Sequence, residues 1–175
     1  CHEDSTAENP ESKTYAFEAG KRAIEAHYQR TGIDAEVHQG EFLGLYRTKF
    51  HRDHDPLISI IIPNKDHIDD LKRCMDSIEQ KSTYRNYEFI IVENNSTEDS
   101  TFKYYKEIEA QNPKVHVVYW DKEFNYSAIN NYGATFAKGE YILLLNNDTV
   151  IINEDCLEEL LGYCMRSDVG AVGAR

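Results

Sequence analysis

The run "LISIIIPNKD", residues 57–66, decides how the chain is read. It is aliphatic almost without interruption, then stops at Pro63, Asn64, Lys65 and Asp66. A continuous apolar run of strand length, rather than an alternating one, is expected of a strand covered on both faces. The same texture recurs downstream. Ile68, Leu71, Cys74, Met75 and Ile78 repeat at helical spacing, and "YEFIIVE" (87–93) reads as a second buried strand. "STED" (96–99) has the form of a capping box, opening a helix through Phe102, Tyr105 and Ile108. "VHVVYW" (115–120) gives a third strand, and 128–138 a third helix closed by Gly139. "YILLLN" (141–146) is a fourth strand and 154–166 a fourth helix, with "VGAVGA" (169–174) beginning a further strand. Regular alternation of strand and helix predicts an α/β fold: a Rossmann-like, mostly parallel sheet with flanking helices.

The N-terminal third has a different grain. Residues 1–13 are polar and charged, and read as a disordered tail. A helix is predicted over 14–30, where Tyr15, Ala19, Ala23, Ile24 and Tyr28 recur and Gly32 is the stop. "AEVHQGEFLGLYRTKF" (35–50) reads as a short β pair, with Val37, Phe42, Leu45 and Tyr46 as apolar members and Gly40 and Gly44 at the turn. "HRDHDP" (51–56) is a connector. Residues 14–55 thus form a lead-in to a domain covering 56–175. The lead-in has too few apolar residues for a core of its own, so it is expected to pack on the α/β domain or on a neighbouring chain.

Composition narrows the function. Acidic residues outnumber basic ones 31 to 19, a formal net charge of −12, which argues against a nucleic-acid surface. Cys1, Cys74, Cys156 and Cys164 lack metal-type or disulfide spacing and read as reduced thiols. No apolar run approaches a membrane span, and there is no signal peptide. Neither GxGxxG after the first strand nor GxxxxGK[ST] occurs, which disfavours dinucleotide dehydrogenases and P-loop NTPases.

In sheets of this kind ligands bind beyond the carboxyl ends of the strands. There the sequence places Pro63, Asn64, Lys65 and Asp66; then Glu93, Asn94, Asn95 and Ser96; then "FNYSAINN" (124–131); then Asn146, Asn147 and Asp148. Four polar strand ends on one edge mark a candidate site.

In order and spacing, "PLISIIIPNKD", "YEFIIVENNSTEDST", "FNYSAINNYGATFAKGEYILLLNNDTVI" and "LGYCMRSDVGAVGA" resemble the nucleotide-sugar-binding half of family 2 glycosyltransferases of the GT-A fold. The resemblance covers residues 56–175. It implies that Pro63, Asn64, Lys65 and Asp66 approach the nucleoside, and that Glu93, Asn94 and Ser96 form the second-strand motif. Glu93 stands where the family carries aspartate, and is expected to accept from base or ribose. Asn131 matches a position near the nucleotide. Asn146, Asn147 and Asp148 occupy the family's Asp-x-Asp motif, with Asp148 keeping the carboxylate for Mg²⁺ or Mn²⁺, a hard cation suited to carboxylate and phosphate oxygens. The family reaction is transfer of a sugar from a nucleotide-sugar donor to a glycan or other acceptor hydroxyl, with inversion, in cell-surface polysaccharide synthesis. The general base and acceptor half are expected beyond Arg175, so these residues alone would bind nucleotide but transfer no sugar. A cytoplasmic location follows, with peripheral association of the full protein at the inner face of the membrane compatible with it. A non-catalytic nucleotide-sugar-binding or scaffolding module is the alternative, motivated by Asn146 and Glu93. A phosphorelay receiver fits poorly, because Asp69 and Asp70 fall inside a helix pattern.

Overall fold

The computed structural model of the chain describes residues 14–174, so the predicted tail and Cys1 lie outside the described residues. These residues fall into two compact units, one made of the residues up to Asp53 with those from Gly162 onward, the other of His54–Leu161.

The larger unit is the expected α/β arrangement. Strands β3 (Ile58–Asn64), β4 (Tyr87–Glu93), β5 (Val115–Tyr119) and β6 (Tyr141–Leu144) form one sheet in the order β5-β4-β3-β6, with every pairing parallel. Between them come α2 (Ile68–Lys81), α3 (Asp99–Gln111) and α4 (Tyr126–Ala134), and α5 (Cys156–Cys164) follows β6. Right-handed crossovers of this kind bring consecutive strands into parallel register with their carboxyl ends on one edge. In register, Asn64 pairs with Glu93, and Glu93 with Tyr119. All seven residues of β4 are buried and only Pro63 of β3 is partly open, which explains their continuous apolar composition. Ile61, Ile90, Val92 and Ile129 form a fully buried cluster with Trp120 and Tyr132 packed against it. Gly133 of α4 meets β3 and β4 so closely that a Cβ there would lie 2.7 Å from Ile61 and 2.8 Å from Val92.

Several local expectations are corrected. α4 ends at Ala134 rather than Lys138, because Gly139 already lies on β3, where a Cβ would meet the Leu57 carbonyl at 2.6 Å. No ladder forms over residues 169–174: a strand needs a neighbour, and those residues lie on no described strand. β6 sits at the edge of the described sheet and alternates, leaving Ile142 and Leu144 about half exposed. The capping box is absent: Glu98, not Ser96, holds the N-cap position of α3 and its side chain makes no cap bond.

In the other unit α1 (Thr14–Thr31) accompanies the antiparallel pair β1 (Ala35–Gln39) and β2 (Tyr46–Phe50). Gly32 ends α1 in a left-handed conformation at φ 69°, as predicted. The hairpin's inner face is Val37, Thr48 and Phe50, whereas the expected apolar members Phe42 and Leu45 sit exposed at the turn. Phe50 stacks edge-on against Tyr28 and Tyr163, and the Arg166 guanidinium lies over its ring. Among the described residues no helix is long and apolar enough to cross a membrane.

Candidate functional site

The carboxyl ends of β3, β4 and β6 open onto a cleft of about 360 Å³. Its floor is amide: Asn64, Asn94, Asn95, Asn146 and Asn147 line it. Pro63, Phe124, Tyr126 and Ile129 give it an apolar wall, and Lys65 and His67 stand at its side. Among the described residues no carboxylate lines the cleft, and Lys65 and His67 are its basic side chains. In a chain of net charge −12 that is a local reversal of sign. Such a cleft suits an anion carrying a flat, partly apolar body.

The loops that build the cleft are held in uncommon backbone shapes. Asp66 (φ 51°), His67 (φ 45°) and Asn95 (φ 57°) are the non-glycine residues with positive φ among the described residues, and all lie just past β3 or β4. Asn, Asp and His tolerate this region better than other side chains, and local strain of this kind gathers at functional sites. The sequence supplies the compensation. Asp66 accepts from the backbone N–H of Thr97 at 3.0 Å and of Glu98 at 3.1 Å, and from the Thr101 hydroxyl at 3.2 Å. It therefore ties down the approach to α3 from a different loop, the task predicted for Ser96. Desolvation raises the Asp66 pKa, but the donors from Glu98, Thr97 and Thr101 outweigh it and hold the carboxyl below its ordinary value. Asn94, buried, donates to the carbonyls of Trp120 and Lys122, each at 3.0 Å, and Asn95 to Lys122 at 2.9 Å, which fixes the segment leading into α4. Asn125 caps α4 by accepting from the Ala128 N–H at 2.9 Å.

The predicted residues divide between the cleft and its supports. Pro63, Asn64, Lys65, Asn94, Asn146 and Asn147 line the cleft. Asp66, Glu93, Ser96, Asn131 and Asp148 do not. Glu93 is buried, 3% exposed, and its oxygens accept from the Ser96 N–H and hydroxyl, each at 2.5 Å, and from the Tyr105 hydroxyl at 2.8 Å. Asn131 is exposed on α4. Asp148 is exposed beside Asn146, and its carboxylate receives no hydrogen bond from a described residue. Its negative charge reaches Cys74, whose thiol is pushed up to about 11, chiefly by burial and then by Asp148. The sequence reading does not single out His67, and it places Asn95, Phe124 and Tyr126 at the strand ends without giving them a role. For the two aromatics a signal existed: they flank Asn125 just before a helix, in a loop where large apolar side chains have no core to enter.

Among the described residues no three His, Cys, Asp or Glu side chains gather to hold a metal on their own. One exposed carboxylate with amide carbonyls alongside is the donor set for a Mg²⁺- or Mn²⁺-type ion shared with substrate phosphates, which keeps few protein ligands. The residues fit a cation bound together with a diphosphate.

Residues 59–175 match the sequence profile described as Glycosyl transferase family 2. The chain is 38% identical over 172 residues to the uncharacterized protein y4gI of Sinorhizobium fredii (strain NBRC 101917 / NGR234), covering 98% of this chain and 19% of that protein. It is 38% identical over 160 residues to the O-antigen biosynthesis protein RfbC of Myxococcus xanthus, covering 91% of this chain and 12% of that protein. It therefore spans a fifth or less of the length of these relatives. Its fold is similar to that of the mannosyltransferase PcManGT from Pyrobaculum calidifontis, solved in complex with GDP-Man and Mn²⁺, with a TM-score of 0.60 and 17% identity over 91% of this chain and 45% of that one. A parallel sheet with an amide-lined, carboxylate-free cleft at its carboxyl edge and a profile match over the whole of that sheet lead to one conclusion: the chain belongs to glycosyl transferase family 2.

Proposed function

We propose that this chain is the nucleotide-sugar-binding part of a glycosyltransferase that builds cell-surface polysaccharide. The carrying observation is the cleft: five asparagines and two basic side chains, without a carboxylate, at the sheet edge where α/β folds bind ligands. The flat wall of Phe124 and Tyr126 covers a nucleobase, as aromatic faces do. Lys65 offers positive charge to a diphosphate, His67 a ring N–H, and the amides of Asn146 and Asn147 neutral donors. Family membership supports the reaction class, and the naming of RfbC for O-antigen biosynthesis supports the product class.

In the proposed reaction an acceptor hydroxyl oxygen forms a bond to the anomeric carbon as that carbon's bond to the diphosphate oxygen breaks. The electron pair leaves with the nucleoside diphosphate, the hydroxyl proton passes to a general base outside the cleft residues, and configuration inverts. Asp148, with Asn146, would hold a divalent cation against the diphosphate, as the cation in PcManGT's reported complex suggests. Such a cation supplies Lewis-acid stabilisation of charge on the leaving group. The residues of this chain bind, orient and desolvate the donor. On this reading the reaction takes place in the cytoplasm, at the inner face of the membrane.

Calorimetry with UDP, dTDP and GDP, with and without Mn²⁺, tests this reading. One of them is expected to bind, more tightly with Mn²⁺, and Asp148→Asn is expected to abolish the Mn²⁺-dependent part while the fold persists. Equal affinities for wild type and Asp148→Asn in the presence of Mn²⁺ would remove the metal site. Nucleotide binding with full retention of affinity but no transfer by the full-length protein would favour the non-catalytic binding module, which Asn146 in place of a carboxylate also suits.

A further inference from the structure

Behind the cleft runs a line of hydrogen bonds that joins its two sides. Asn147, after β6, donates from Nδ2 to Asn64 Oδ1 at 2.7 Å. Asn64, at the end of β3, donates from Nδ2 to the Tyr105 hydroxyl oxygen and to the Asp66 carbonyl, each at 2.7 Å. Tyr105 donates its proton to Glu93 Oε2 at 2.8 Å. Glu93, at the end of β4, also receives the Ser96 hydroxyl and N–H at 2.5 Å. Ser96 Oγ in turn accepts from the Asp66 N–H at 2.7 Å, returning to the loop after β3.

Tyr105 is the middle link. It belongs to α3, lines no part of the cleft and is fully buried, 0% exposed. Burial, reinforced by Glu93, lifts its phenol far above the ordinary value, so it remains a neutral O–H donor throughout the working pH range. A buried phenol needs one acceptor for its proton and can take one donor, and here both places are filled by residues that end adjacent strands. Without it, the Asn64 amide and the Glu93 carboxylate would each lose a partner in a dry interior, where replacement by water is costly. α3 thus reaches through the sheet's edge and fixes two of its loops together.

We propose that Tyr105 is a positioning residue for the nucleotide cleft. By holding Asn64 and Glu93 at once, it closes a ring with the direct Asn64–Asp66 and Asp66–Ser96 bonds and ties the end of β3, with Asn147, to the end of β4. The proposal rests on the nucleotide reading for its ligand, but not for its geometry. Its consequence is that Tyr105→Phe, which removes one oxygen and keeps the ring, loosens both loops and weakens nucleotide binding without contact with the ligand.

The test uses the 175-residue chain, with Tyr104→Phe in the same helix as control. Hydrogen exchange is read by NMR at the Ser96 N–H, which donates to Glu93, and at the Ile90 N–H in the middle of β4. Affinity is read for whichever of UDP, dTDP and GDP the wild type binds in Mn²⁺. Tyr105→Phe is expected to speed Ser96 exchange about tenfold relative to Ile90, to shift the Asn147 side-chain amide resonances, and to weaken binding about tenfold; Tyr104→Phe changes none of these. A role in stability alone would speed Ile90 and Ser96 together, and that result overturns the proposal. So does an unchanged Ser96 rate, whatever the nucleotide does, and so does faster Ser96 exchange with wild-type affinity. If the wild type binds none of the three diphosphates while Ser96 and Asn147 respond as expected, the nucleotide reading fails and the positioning role stands.

Discussion

Asp66 carries more than its place in a loop suggests, because its carboxylate gathers donors from the segment entering α3. Its pKa is lowered in the fold, so by linkage its contribution is present above the unfolded carboxyl value, about 4, and is lost as pH falls through the lower folded value. The Thr97 and Glu98 amide resonances are therefore expected to titrate together below pH about 4, and to be flat in Asp66→Asn; titration that persists in the variant would assign it to another group. His51 behaves with the opposite sign. Its Nδ1 meets Asp34 at 2.7 Å and its Nε2 meets Glu36 at 3.2 Å, and the Asp34 hydrogen bond raises its pKa. Its contribution is complete below about pH 6.5 and is lost as pH rises through the folded value. Protection of Val37 and Thr48 in the hairpin should fall as pH rises above about 6.5 in wild type, and not in His51→Gln. Neither linkage could be foreseen from sequence. Asp34, Glu36 and His51 are separated by a turn whose register decides their meeting, and Asp66 meets Thr97 only after a crossover.

Elements were readable wherever their periodicity was imposed by the core. β3 and β4 are covered on both faces, so their composition announces them, and α2 buries Leu71, Cys74, Met75 and Ile78, the spacing that predicted it. Where an element's end is set by a neighbour, the sequence misled. Gly139 looked like a helix stop, but it is glycine because β3 passes against it. Gly133 has the same cause inside α4, and there the consequence is measurable. Gly133→Ala places a Cβ among Ile61 and Val92 and is expected to cost about 1–3 kcal/mol by overpacking, although alanine favours helix by up to about 1 kcal/mol. Thermal or urea unfolding checks this; a variant as stable as wild type would mean that α4 rides further from the sheet than described. Tyr105→Phe belongs at this scale too, with an expected loss of about 1–3 kcal/mol because the buried Asn64 amide and Glu93 carboxylate are each left one hydrogen bond short.

The whole molecule sets a strongly negative chain around a cleft without acid, and this arrangement is the basis of the functional reading. The sequence pointed to this edge because strand ends of a parallel sheet share one, and Asn64, Lys65, Asn94, Asn146 and Asn147 line the cleft there. It did not reveal which polar residues face the cleft and which face inward: Asn64 and Glu93 both bond Tyr105 of α3, yet only Asn64 lines the cleft. His67 was invisible because a loop position carries no periodic signature, whereas Phe124 is a large apolar side chain with no core to enter. Lys65→Ala is expected to lower nucleoside diphosphate affinity several-fold at low salt and less at high salt, as for a screened ion pair, with calorimetry as the check. The central claim, that this cleft is where the nucleoside diphosphate sits, is tested most directly by NMR titration of the chain with UDP, dTDP and GDP. The account predicts saturable shifts centred on residues 64–67, 94–95, 124–126 and 146–147. Shifts centred instead on the hairpin residues 33–38, or none at all with any of the three, would contradict it.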